Sequence, residues 1–477
     1  MNKKLTYQSN SFFDEYITNN SSPRKGFKRS IGFFNSLTGS QKIYFKKLCE
    51  SSISSMGVTF QLNADELTDR LWPLDLIPRI ISLNKWEKIE RGLSQRVKAL
   101  NLFINDVYNK QEFLNKNPVL KDLILDSPNF LSECMGISPK NKVWSNICGT
   151  DLIRDHNGNF FVLEDNLRVP SGVAYMLENR NIMKRVIPEL FNSYEVNPVD
   201  DYPSQLYQCL CDASFSTNQK KTIVVLTPGV FNSAYFEHSY LAQQMGVELV
   251  EASDLYVSRS GNVLMKTING PKKIDVIYRR VDDIYLDPKT WLKNSTLGIP
   301  GIYKSWKSKK IAIVNAPGSG VADDKAVYAY VPKMIKFFLN ERPIISQVKT
   351  YVCAIKKDLD YVLNNIDQLV LKPVNESGGY GILIGAQSSK SELKEYKLKI
   401  INNPRNFVAQ PLIKLSTAPT LIGKNIVPRH LDLRPFILSG NKSFVTKGGL
   451  TRVAMKKGST IVNSSQGGGS KDTWIAD

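Results

Sequence analysis

The segment Asp151-Leu-Ile-Arg-Asp-His-Asn-Gly-Asn-Phe-Phe-Val-Leu-Glu-Asp-Asn166 constrains the fold more than any other. Asn157-Gly158 between two apolar runs predicts a β-hairpin with a two-residue type I′ turn, whose central residues both need φ > 0. That register sets Asp151 opposite Glu164, and the two-residue side-chain period brings Asn166 to the same face. Carboxylates opposed across a sheet repel unless something neutralises them. Two solutions are open: a Mg²⁺ ion held by Asp151, Glu164 and Asn166, or an ion network through a nearby arginine such as Arg154 or Arg168.

A second constraint lies far along the chain, at Leu369-Val-Leu-Lys372-Pro-Val-Asn-Glu-Ser377-Gly378-Gly379-Tyr380-Gly381-Ile-Leu-Ile. It reads strand, glycine loop, strand. A Walker loop or dinucleotide fingerprint would open a helix instead, and neither pattern occurs. Glycines let backbone N–H groups approach phosphate oxygens, and Lys372 at the end of the preceding strand adds a point charge. The competing reading is a glycine-rich hairpin with a surface lysine. Arg434 and Arg452, in Asp432-Leu-Arg-Pro and Gly448-Gly-Leu-Thr-Arg452, would suit the spread charge of a transferring phosphoryl group if the fold brings them there.

Between these segments the texture changes several times. Residues 1–142 read as a mainly helical lobe. Residues 143–200 hold the hairpin and a helix over about 171–191, and residues 222–340 a βαβ lobe with strands at 222–226, 247–250, 275–279 and 311–314. Residues 341–477 alternate strands and glycine loops. At 477 residues the chain exceeds the ~250–300 at which single cores stop growing, so several lobes and a cleft are expected. Six dilute cysteines without Cys-x-x-Cys spacing read as reduced thiols, and no apolar run reaches membrane-spanning length, which together suggest a cytoplasmic protein. The net charge of +19 is spread in short runs with no named nucleic-acid module, so a solvated basic surface is favoured over nucleic-acid binding.

Four blocks carry a family resemblance: Leu163-Glu-Asp-Asn-Leu-Arg-Val-Pro-Ser-Gly172, Asn315-Ala-Pro-Gly-Ser-Gly-Val-Ala-Asp-Asp-Lys325, Lys372 to Gly381, and Asn463-Ser-Ser-Gln-Gly-Gly-Gly-Ser-Lys-Asp-Thr-Trp474. From about residue 72 onward the chain resembles the circularly permuted ATP-grasp type 2 family, similar to the ATP-binding part of glutathionylspermidine synthetases. The ring order of motifs is kept while the chain is cut elsewhere, so the metal-ligand motif precedes the phosphate loop. The resemblance implies an α+β fold: a permuted ATP-grasp domain, a small parallel-sheet pre-ATP-grasp lobe at 222–340 and the N-terminal helical lobe. It further implies Mg²⁺ at Asp151, Glu164 and Asn166, ATP phosphates at Lys325 and Lys372 beneath a cover of Ser377, Gly378, Gly379, Tyr380 and Gly381, and Gln410 near the adenine. Arg434 and Arg452 would be the catalytic pair. Those synthetases carry an arginine where this chain has Gly149, so their substrates are not carried over.

The implied function is an ATP- and Mg²⁺-dependent carboxylate–amine ligase working through an acyl phosphate on small-molecule or peptide substrates, with no nucleic acid or membrane partner. The alternative is a kinase-like or non-catalytic nucleotide-binding protein on the same fold. His156, His238 and His430 suggest no catalytic triad and read as structural. For substrate recognition, Tyr175, Glu178 and Asn179 on one helix face and Arg279-Arg280 at a strand end are the candidates.

Overall fold

A computed structural model describes residues 12–60, 70–374, 381–456, 462 and 468–477. The hairpin strands β1 (Ile147–Arg154) and β2 (Phe160–Asn166) lie side by side within a sheet that has ten strands among the described residues. The turn is one residue longer than the type I′ turn expected. The Asp155 amide donates to the Asn159 carbonyl, Arg154 pairs with Phe160, and Gly158 takes φ 82°. The Asp155 carboxylate stabilises the longer turn by accepting from the Asn157 and Asn159 amides at 3.0 and 2.8 Å. A bulge at Leu163 then compensates: Leu152 faces Val162, yet Asp151 faces Glu164.

After the hairpin, α1 (Val173–Val186) is shorter than the helix expected, because Pro188 cannot continue it and opens a separate turn, Pro188–Asn192. Next come β3 (Ile223–Leu226) and α2 (Tyr235–Met245), the latter closed by Gly246 at φ 65°. Strand β3 lies between Glu248–Val250 and Val276–Arg279, with Ala312–Val314 beyond, and every pairing is parallel. These short strands are mostly apolar because helices cover both faces, whereas their carboxyl ends open toward the hairpin.

A second, antiparallel sheet carries β4 (Leu369–Pro373) and β5 (Phe407–Pro411) between Tyr351–Val352 and Leu383–Ile384. Alternation divides its faces. Leu369, Leu371 and Ala409 pack with Val362, Tyr396 and Ile400 from two covering helices, leaving Val370, Lys372 and Gln410 on the opposite side.

The chain then returns to the ten-stranded sheet with β6 (Asn425–Arg434), β7 (Leu450–Val453) and β8 (Gly469–Ile475), in the order β2-β1-β6-β7-β8. Beyond β8 the sheet gains a strand from the other end of the chain, Leu74–Ile81, in parallel pairing. That strand falls in the stretch expected to be mainly helical. Its Leu-Asp-Leu-Ile-Pro-Arg-Ile-Ile sequence is isoleucine-rich and almost wholly buried, which suits a sheet position covered on both faces. The stretch also contains the long amphipathic helix Leu83–Val107 and several shorter ones.

Candidate functional site

Three adjacent strands present charges on one face. Antiparallel pairing of β6 with β1 sets Leu433 against Leu152, so Arg434 stands beside Asp151. Pairing of β6 with β7 sets Asp432 against Arg452. Arg434 donates to both oxygens of Asp151, Nε to Oδ1 at 2.5 Å and Nη2 to Oδ2 at 2.8 Å. Arg452 reaches Asp151 Oδ2 at 2.7 Å and also pairs with Asp432. Burial would raise the Asp151 carboxyl, but the two guanidiniums and their hydrogen bonds outweigh it and hold the group at about 2. The neutralising arginines are thus Arg434 and Arg452. Arg154 instead pairs with the buried Glu15, and Arg168 lies between Asp282 and Asp323 at 3.6 and 3.7 Å.

Gly149 explains how Arg434 gets there. A Cβ at that position would stand 3.2 Å from Arg434 Cδ and 3.3 Å from Pro170 Cβ, so the missing side chain leaves the room through which Arg434 reaches Asp151.

Around Glu164 segments far apart in the sequence meet. A narrow cleft is lined by Glu164, Asp323, Lys325, Lys372 and Gln410. Lys325 Nζ is 3.8 Å from Glu164 Oε1. Lys372 is buried, and burial lowers its ammonium to about 8, with Lys325 adding to the fall and Glu164 and Asp151 opposing it. Gln410 donates to Thr350 Oγ1 at 2.9 Å. Gly381 has φ 68°, and a Cβ there would meet Pro373 Cγ at 2.8 Å, so the chain leaving the glycine loop returns against the strand that entered it. Ser377, Gly378, Gly379 and Tyr380 lie outside the described residues, as do Asn463 to Gly467.

The cleft adjoins a cavity of about 480 Å³, within the range of small-molecule sites. Glu164, Asn166, Lys325 and Val374 line it together with Asn232, Ser233, Ala234, His238 and Arg280 of the βαβ lobe. Asp323, which sequence reasoning did not single out, borders both spaces. Burial raises its carboxyl to about 7, against the opposing pull of Arg168 and of the Leu167 amide 2.6 Å away. Its presence in the block ending at Lys325 was the available signal. The guessed recognition residues fare differently. Tyr175 stacks on Trp72, and Asn179 bonds to Trp72 and Ser470, so with Glu178 they form part of a packed interior. Arg279 is buried against Asp283 and the carbonyls of Asn315 and Val281, whereas Arg280 does line the cavity.

For a metal ion, the oxygen chemistry of Glu164 and Asn166 fits. Both line the cavity, and Asn166 uses only its amide nitrogen, donating to the Gly149 carbonyl at 3.1 Å. Asp151 differs, since both its oxygens already accept from guanidiniums. Among the described residues no three or more His, Cys, Asp or Glu side chains form a metal-holding group, and no helix is long and apolar enough to cross a membrane.

Comparison with known proteins shows the family. Residues 78–454 match the model of a family described as circularly permuted ATP-grasp type 2. An uncharacterized protein of Synechocystis sp. is 47% identical over 98% of each chain. A Frankia casuarinae protein with the provisional name glutamate–cysteine ligase 2-2 is 40% identical over 89% of this chain, which spans 49% of that longer protein. A glutathione synthetase-like effector from Globodera pallida, solved in its apo form, shares the fold at a TM-score of 0.61 and 11% identity, covering 92% of this chain and 98% of that one.

Proposed function

This chain belongs to the circularly permuted ATP-grasp type 2 family, and from that premise we propose that it is an ATP-dependent carboxylate–amine ligase. The observation that carries the reading is the cleft in which Glu164, from the hairpin, meets Lys325, Lys372 and Gln410, from segments well over a hundred residues later, beside a cavity of about 480 Å³. Lysines at a glycine loop suit nucleotide phosphates, and an adjoining space lined by mixed polar groups suits the reactants. The provisional ligase name of the Frankia protein points the same way, although it belongs to a chain about twice as long, so its substrates are not transferred.

In this reading a substrate carboxylate oxygen attacks the γ-phosphorus of ATP and ADP leaves, giving an acyl phosphate. The amine then attacks the acyl carbon, inorganic phosphate leaves, and the nitrogen loses a proton. Lys372 and Lys325 bind the phosphates, with the glycine loop as their cover. Glu164 and Asn166 would hold Mg²⁺, which when bound neutralises phosphate charge. Arg434 and Arg452 supply positive charge next to the phosphates, and Asp151 fixes their direction. No side-chain nucleophile is needed.

The test is a screen of carboxylate and amine pools with Mg²⁺ and ATP, following ADP, phosphate and product mass. ADP and phosphate released together, only when both an acid and an amine are present and with loss of water in the product, support the ligase. Phosphate retained on the product identifies a kinase. Nucleotide binding without turnover in any pool identifies a non-catalytic protein. Lys372→Met is expected to abolish turnover in the first two cases.

A further inference from the structure

Two turns stand where the cavity meets solvent, and both present side chains that folding does not require. Ser233 and Asp282 line the cavity and yet are exposed, which marks its opening. The turns beside that opening follow the carboxyl ends of two neighbouring strands, β3 and Val276–Arg279. In the first, the Asn232 amide donates to the Gly229 carbonyl at 3.2 Å, which makes Val230 and Phe231 the corner residues of a β-turn. They are 57% and 89% exposed, and they stand between Pro228 and Asn232, which line the cavity. Turn corners favour Gly, Pro, Asn, Asp and Ser, each for a backbone reason that valine and phenylalanine do not supply. The turn is also braced on both sides: the Gly229 amide donates to Thr227 Oγ1 at 3.2 Å, and Asn232 Oδ1 accepts from the Ala234 amide at 2.9 Å.

The second turn is built the same way. Asp282 and Tyr285 line the cavity, and the Tyr285 amide donates to the Asp282 carbonyl at 3.1 Å. Ile284, between them, is 44% exposed. Leu292 is exposed to the same degree and lies beside it, with its amide on the Ile284 carbonyl at 3.1 Å. The buried Asp283, paired with Arg279 at 2.6 Å, holds this turn in place.

Single exposed apolar side chains are ordinary, but four at one opening, on two braced turns, mark a binding edge. The cavity behind them is lined mainly by polar groups, so the complementary ligand is polar at the end that enters and apolar just behind it. An alkyl chain calls for an unbroken apolar channel, whereas here Ser233 and Asp282 interrupt the edge as backbone amides interrupt the side chains of a peptide. Nor do four side chains by themselves supply the ~800 Å² that each partner of a stable complex buries, as a second copy of the chain would need. We propose that this opening is a subsite for a peptide substrate, where Val230, Phe231, Ile284 and Leu292 take up apolar side chains next to the terminus that enters the cavity. The inference rests on the ligase reading for its purpose: the peptide is one of the two reactants, and the residues behind its reacting end govern its affinity.

Calorimetric titration of the full chain with two pentapeptides, Gly-Leu-Phe-Leu-Gly and Gly-Ser-Asn-Ser-Gly, both with free ends, tests this with and without MgADP. The apolar peptide should bind at least about tenfold more tightly. The double variants Val230→Ser with Phe231→Ser, and Ile284→Ser with Leu292→Ser, should each cut that preference to about threefold or less. The first pair should leave the midpoint of thermal unfolding unchanged, since its side chains face solvent; a lower midpoint would show that they serve the fold and overturns the proposal. Equal affinities, no binding of either peptide, or a preference that both double variants keep also overturns it. So does tighter binding of octylamine than of the apolar peptide, which assigns the edge to an alkyl chain, or a wild-type dimer in sedimentation that the first double variant dissociates, which assigns it to a second copy. MgADP titrated alone separates the two readings. If MgADP binds and the peptide preference is absent, only the subsite fails; if MgADP does not bind, the ligase reading fails, and the titrations without nucleotide still decide the subsite.

Discussion

Lys372 shows what assembling this cleft costs a single residue. Its ammonium is drawn down from 10.5 to about 8 by burial, so below pH 8 the native state carries a charge in an unfavourable place. The unfolded chain holds that proton more tightly, and the penalty is relieved as pH rises from 8 toward 10.5. Lys372→Met should therefore stabilise the ligand-free protein at pH 7 by ~1–3 kcal/mol and remove this residue's contribution to the rise in stability between pH 8 and 10. The same proton is needed to hold phosphate. Nucleotide affinity of the wild type is expected to be flat below pH 8 and to weaken above it, as titration calorimetry at several pH values would show. Asp151 is the opposite case, a buried anion answered by two guanidiniums. Asp151→Asn leaves Arg434 without its carboxylate, while Arg452 keeps Asp432, and should lower stability by ~3–5 kcal/mol in urea unfolding with EDTA present. An unchanged midpoint there would mean that the carboxylate serves a bound ion rather than the arginines.

Among the elements, the hairpin tip carries its own prediction. Gly158 has φ 82°, and a Cβ would come 2.7 Å from the Phe13 ring, which crosses the turn. Gly158→Ala should cost ~1–3 kcal/mol, read as a lower urea midpoint. The same hairpin shows how far the sequence could be read. Asp151 facing Glu164 was legible because two departures from the expected geometry cancel: the turn is one residue longer, and Leu163 bulges by one. That Lys372 and Gln410 share a face was only half legible: alternation sets each residue's side of its own strand, and the pairing of Leu371 with Ala409 sets the two strands in register. What stayed hidden depends on which strand lies next to which. That Arg434 and Arg452 would neutralise Asp151 requires knowing that β1, β6 and β7 are neighbours, and no local periodicity carries that. His238 and Asp323 were hidden for the same reason, since each reaches the cavity from an element whose position is set by packing between lobes.

At the scale of the whole molecule, the large sheet joins distant parts of the sequence. Strand β8 lies between β7 and Leu74–Ile81, and within it Lys471, fully buried, pairs with Asp75 and donates to the carbonyls of Ile77 and Pro419 at 3.0 and 2.8 Å. A variant lacking residues 469–477 should lose cooperative unfolding and nucleotide binding together, which circular dichroism melts and a binding assay would reveal. The placement of this strand also sets a timetable for the cell. Leu74–Ile81 emerges from the ribosome early and then waits, without a hydrogen-bonding neighbour on that edge, until nearly four hundred more residues have been made. A nascent chain stalled before residue 469 would thus display an unsatisfied apolar edge, so folding helpers should be recruited most strongly during the late stages of its translation.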